Sequence, residues 1–120
     1  MTIVNVAIDC TLPAEEYEGI LDTAGYVISY WACQTSIEPK AENSDEVIYR
    51  VTEDETGTEY VLDKSKVEQA IADIITDRRW ACDRFKPLKN AILNQEYGEI
   101  DGDLADIIIQ TACFGEVVYG

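Results

Sequence analysis

Histidine is absent from this sequence, and basic residues of any kind are scarce: nine Lys and Arg stand against 24 Asp and Glu. Without an imidazole there is no base for a Ser-His-Asp or Cys-His arrangement and no His ligand for zinc. The four cysteines, Cys10, Cys33, Cys82 and Cys113, lie far apart and form no C-x-x-C pair, so they read as buried free thiols, not as a metal or redox motif. No apolar run approaches the length of a membrane-spanning helix. The start, MTIVNVAIDC, lacks the basic flank and apolar core of a secretory signal. There is no Walker loop and no G-x-G-x-x-G, and no internal repeat or linker. What remains is a non-enzymatic reading with no cofactor and no metal, in one domain spanning 1–120.

The chain is nevertheless ordinary in its capacity to fold. Hydrophobic residues make up 47% and charged residues 28%, and 120 residues can bury a sizeable core without a staple. The anomaly is the sign of the charge, −15 in total. Such an imbalance opposes compaction through self-repulsion and calls for something that offsets it.

Local patterns predict an α+β domain: a mostly antiparallel sheet of about three to four strands with helices packed on one face. The β-branched alternation of TIVNVAI predicts a strand over 2–8. TLPAEEYEGILDTAG predicts a helix capped at Thr11 or Leu12, with Pro13 in its first turn and Gly25 closing it. Tyr17, Ile20, Leu21 and Ala24 form its inner face; Glu15, Glu18 and Asp22 share another. YVISYWACQTSI reads as a long central strand, and VIYRV and TEYVL as two shorter strands around TEDETG, with Gly57 free to take a positive φ. SKVEQAIADIITD predicts a helix with a Ser65–Glu68 capping box and an apolar stripe of Val67, Ala70, Ile71, Ile74 and Ile75. RRWACDRFKPLKNAIL is helical but interrupted at Pro87. DGDLADIIIQTACFG predicts a last helix from Asp101 or Asp103, with Leu104, Ile107, Ile108 and Ala112 buried and Gly115 ending it. EVVYG reads as an extended tail. Tyr26, Tyr30, Trp31 and Trp80 are expected in the core.

Charge is segregated along the chain. Residues 1–63 carry 14 acids and two bases, for −12; residues 64–89 carry seven bases and four acids, for +3; residues 90–120 carry six acids and no base. The acids in EIDGDLAD lack the order of a calcium loop and suit a helix N-terminus. In the first half, Glu15, Glu16, Glu18 and Asp22 on the helix, Asp45 and Glu46 in the connection, and Glu53, Asp54, Glu55 and Glu59 on the hairpin compose a candidate anionic surface. Carboxylates two apart on a strand stand about 6.6 Å apart, comparable with phosphates at about 3.4 Å per nucleotide. Such a surface suits a basic nucleic-acid-binding protein or complex and repels nucleic acid itself. Each carboxylate also has a plainer reading, as a solvated face or as protection of an edge strand. A halophilic chain would be acidic for the same reason.

The ending QTACFGEVVYG, with YWAC and YVLDKSKVEQAI before it, resembles a group of small acidic phage and prophage proteins with a closing F-G-E-V-V-Y-G. The resemblance implies an early helix, a Tyr-Trp strand, an acidic hairpin, a helix and the closing segment. By size, acidity and phage character the chain also resembles, as a functional class, the anti-CRISPR proteins that act as DNA mimics against multisubunit CRISPR effector complexes. That implies a phage-encoded inhibitor in the host cell cytoplasm. An interaction or structural protein binding through an apolar face is the alternative.

Overall fold

The computed structural model describes residues 10–42, 44–76 and 86–120. The strand expected over 2–8, Trp80, Cys82 and the whole of the basic RRWACDRF segment lie outside them.

Helix α1 spans Ala14–Val27 and runs into a 3-10 turn at Ile28–Tyr30. Pro13 is its N-cap, its carbonyl accepting from the amides of Glu16 and Tyr17 at 3.0 Å, which displaces the expected cap at Thr11 or Leu12. Gly25 does not end it. The apolar spacing of Tyr17, Ile20, Leu21 and Ala24 continues at helical intervals through Ile28 to Trp31, and all six are buried. That continuation explains why YVISYW is not the start of a strand: tertiary burial of a helix-period stripe outweighs its aromatic and β-branched content. Two aromatics of the run depart from the expected core. Tyr26 is 88% exposed and Tyr30 54% exposed.

Among the described residues the sheet has three antiparallel strands in the order β1-β2-β3: β1 Ala32–Pro39, β2 Val47–Glu53 and β3 Glu59–Leu62. Among the described residues the strand expected to be central is thus an edge, and VIYRV, flanked on both sides, is the middle. Alternation along β2 sets the layers: Tyr49, Val51 and Glu53 are buried, while Ile48, Arg50 and Thr52 are half-buried. Gly57 takes φ 72° in the β2–β3 turn, a left-handed conformation in which a Cβ would be strained.

Helices cover the Tyr49/Val51 face. Helix α2, Lys64–Thr76, starts from Asp63, whose Oδ1 accepts from the Lys66 amide at 2.9 Å. The Ser65–Glu68 capping box does not form. Glu68 turns away to accept from the Leu12 amide at 2.6 Å and from Lys64 Nζ at 3.1 Å. Its stripe is as expected, with Val67, Ala70, Ile71 and Ile74 buried and Ile75 half-buried. Helix α3, Lys86–Leu93, carries Pro87 in its first turn, where a missing N–H costs nothing.

Helix α4, Gly102–Phe114, is capped by Asp101, whose side chain accepts from the Leu104 amide, and ends at Gly115 with φ 76°. Leu104 to Thr111 is buried except at Asp106, so α4 is the central helix, between α1 and α2; Ala112 is half-buried. Gly102 has a steric reason: a Cβ there would stand 2.8 Å from Val27 Cγ1, which lets α1 and α4 approach closely.

Candidate functional site

The tail after Gly115 forms no strand, but the buried Gln110 holds it like a strand partner. Its Oε1 accepts from the amides of Val118 and Tyr119 at 2.9 and 2.8 Å, and its Nε2 donates to the Tyr119 carbonyl and to Asp106, both at 2.9 Å. Tyr119 then stacks on Trp31 with centroids 5.8 Å apart, and Phe114 packs on Trp31 at 5.3 Å and on Tyr60 at 5.2 Å. Asp106 also accepts from Trp31 Nε1 at 2.9 Å and from the Tyr30 hydroxyl. Burial and that carboxylate push the Tyr30 phenol up to about 12. The residues of the FGEVVYG ending therefore bind the tail to the core.

This arrangement removes Glu53 from the expected anionic surface. Glu53 is 6% exposed and accepts from the hydroxyls of Tyr119 and Thr56. Those hydrogen bonds hold its carboxyl below the ordinary glutamate range, while the same bond raises the Tyr119 phenol well above its usual value. Glu55 accepts from the same phenol at 3.0 Å. The parity of β2 is the cause: Glu53 shares the inner face with Tyr49 and Val51.

Glu59 lies on the other face. The register Thr52↔Glu59 and Ser36↔Arg50 brings it to Arg50, which bonds Glu59 and Glu38 at 2.7 Å each. Glu53 and Glu59 thus do not share a row. Glu46 and Asp63 flank Lys40 at 3.6 and 3.7 Å. Glu18, Asp45 and Glu46 meet around a hollow of about 260 Å³ beside Tyr17 and Lys64. Asp54 is exposed at the hairpin turn, its amide donating to the Trp31 carbonyl at 2.9 Å.

Helix α1 carries four of the candidate carboxylates. Glu15 and Asp22 are exposed, Glu16 and Glu18 half-buried, and no ion pair among the described residues involves any of the four. Glu15, Glu18 and Asp22 follow one outward stripe that continues to Tyr26. By helical rise the three carboxylates span about 10 Å, roughly one charge per 5 Å against one per about 3.4 Å on a DNA strand.

Two thiols also differ from the buried reading. Cys33 is exposed at the irregular start of β1, and Cys113 is half-buried; both are free. Burial pushes the Cys113 thiol up to about 12, which leaves it protonated and unreactive. Among the described residues no group of three or more His, Cys, Asp and Glu is placed to hold a metal ion, and no helix is long and apolar enough to cross a membrane. Compared with known proteins, the chain matches no family model, no curated protein and no solved structure.

Proposed function

We propose that this protein is a phage-encoded, non-enzymatic inhibitor that presents an anionic surface to the nucleic-acid-binding groove of a host defence complex, of the multisubunit CRISPR effector kind, in the host cytoplasm. The observation that carries the reading is the outward stripe of α1, where Glu15, Glu18 and Asp22 form no ion pair among the described residues. A fold using acids only for solubility needs a net charge of about 2 to 8 in magnitude, whereas this chain holds −15. Two further supports are the −12 of residues 1–63 and the resemblance to small acidic phage proteins. Glu53 and Glu59 are outside the decoy surface, the first buried under Tyr119 and the second neutralised by Arg50.

The test is charge reversal confined to the helix. Glu15→Lys with Glu18→Lys should abolish inhibition of the effector and leave the fold intact, at a cost of about 1 kcal/mol from placing cations near the positive end of the helix. Full inhibition by the reversed protein would refute the reading.

A further inference from the structure

Among the described residues β1 is an edge of the sheet, and the parity of the ladder decides which of its backbone groups are unused. In an antiparallel pair the N–H and C=O of one residue point to the same side, and successive residues alternate. The Lys40 amide donates to the Glu46 carbonyl and the Asp54 amide to the Trp31 carbonyl, both at 2.9 Å, whereas the Glu53 amide donates to the Thr58 carbonyl. Even-numbered residues of β2 therefore bond toward β1, and odd-numbered ones toward β3. With Ser36 opposite Arg50 and Glu38 opposite Ile48, Gln34, Ser36 and Glu38 spend their backbone groups within the sheet. Those of Thr35 and Ile37 point outward, and no hydrogen bond among the described residues reaches them.

The two outer strands differ in how they are guarded. β3 is short, and Lys66 Nζ covers its Val61 carbonyl at 3.1 Å, a common protection of an edge. β1 has an irregularity near Cys33 at one end and Pro39 at the other. Between them residues 34–38, QTSIE, contain no proline and no base, and the charge of Glu38 is turned to Arg50 on the neighbouring strand at 2.7 Å. The inner side of this edge opens on a groove of about 340 Å³ whose other wall is the C-terminal half of α1, with Asp22, Tyr26, Thr35 and Ile37 in its lining. Tyr26 and Ile37 are exposed apolar surface, and Asp22 is exposed and forms no ion pair among the described residues. Unpaired strand groups call for an extended chain, and the groove selects its side chains: an apolar one against Tyr26 and Ile37, a cationic one at Asp22. A second copy of this chain would set −15 against −15, so the fit is to a basic partner.

We propose that the β1 edge takes up an extended basic segment of a partner protein as an added strand, its backbone bonding Thr35 and Ile37 and its inward side chains lying between β1 and α1. This deepens the decoy reading and rests on it for the partner being basic. It adds that recognition includes backbone pairing at a sheet edge as well as a field.

The experiment follows amide exchange and spectra of the intact ¹⁵N-labelled protein with the probe peptide acetyl-Lys-Val-Thr-Val-Arg-Val amide. In the free protein the Thr35 and Ile37 amides should exchange faster than those of Ser36 and Glu38. The peptide should shift them saturably and slow their exchange about tenfold. Versions N-methylated at every residue, or with Glu in place of both bases, should bind about tenfold more weakly. Ile37→Pro removes an amide that the sheet does not use; it should melt near the wild-type temperature and lose the binding. Amides at Thr35 and Ile37 already protected in the free protein, no saturable shift, equal binding of either altered peptide, or wild-type binding by Ile37→Pro would each overturn the proposal. A dimer that protects the same amides would overturn it too, by making a second copy the occupant. The two readings fail separately. Peptide binding by a protein that does not compete with nucleic acid would sink the decoy and leave the edge, whereas inhibition lost in the Glu15→Lys/Glu18→Lys protein but intact in Ile37→Pro would sink the edge alone.

Discussion

Replacing Gln110 by Leu should release the C-terminal tail, and the size of the effect follows from the contacts. The side chain is fully buried and exchanges three hydrogen bonds with the backbone of Val118 and Tyr119, plus one with Asp106. Each is worth about 1 kcal/mol net. Leucine fills nearly the same space, and the freed tail regains water, so part of the loss is recovered. The expected destabilisation is about 3 kcal/mol, which for a chain of this size lowers Tm by about 12 °C. Thermal melts followed by circular dichroism, with urea unfolding as a second measure, would read it. A double-mutant cycle isolates the mechanism. In a Tyr119→Ala background the tail has already lost its stack on Trp31, and Gln110→Leu should cost about half as much. A loss below about 1 kcal/mol, or the same loss in both backgrounds, would refute the view that this side chain secures the tail.

Three other outcomes are expected. Because its hydrogen bonds depress the folded-state carboxyl of Glu53, the group adds stability above the ordinary glutamate value of about 4.3, and that contribution is lost as pH falls through the lower folded value; Tm against pH should fall less on the acid side in Glu53→Gln than in the wild type. Gly102→Ala should destabilise by about 1–3 kcal/mol through overpacking against Val27, and Val27→Ala in the same chain should restore part of it, as denaturant titration would show. A thiol reagent at mildly alkaline pH should label Cys33 rapidly and Cys113 slowly, so Cys33→Ser should remove a fast equivalent from the labelling trace.

Elements with a strong local signature were legible in the sequence. The α4 helix is bracketed by Asp101 and Gly115, the α2 stripe repeats at helical spacing, and Gly57 marks the hairpin turn. The α+β class with a small antiparallel sheet follows from these. The boundary between α1 and β1 was not legible locally, because Tyr26 to Trp31 are strand-formers by type; the spacing from Ile20 through Ile28 to Trp31 was the competing signal, and it prevails because Ile28 and Trp31 are buried. The acidic surface was legible only in part. Net charge marks the acidic half, but whether a given carboxylate faces solvent depends on register. Glu53 shares parity with Tyr49 and Val51, which places it inward, and the neutralisation of Glu59 by Arg50 depends on strand pairing across the β2–β3 turn.

The central claim is that the free carboxylates of α1 stand in for phosphates. Its most direct measurement is competition between this protein and labelled DNA for a purified multisubunit CRISPR effector, repeated across salt concentrations. Displacement of the DNA, weakening steeply as salt rises and absent in the Glu15→Lys/Glu18→Lys protein, is the predicted result. Binding that leaves the DNA in place, ignores salt, or survives the charge reversal would contradict it.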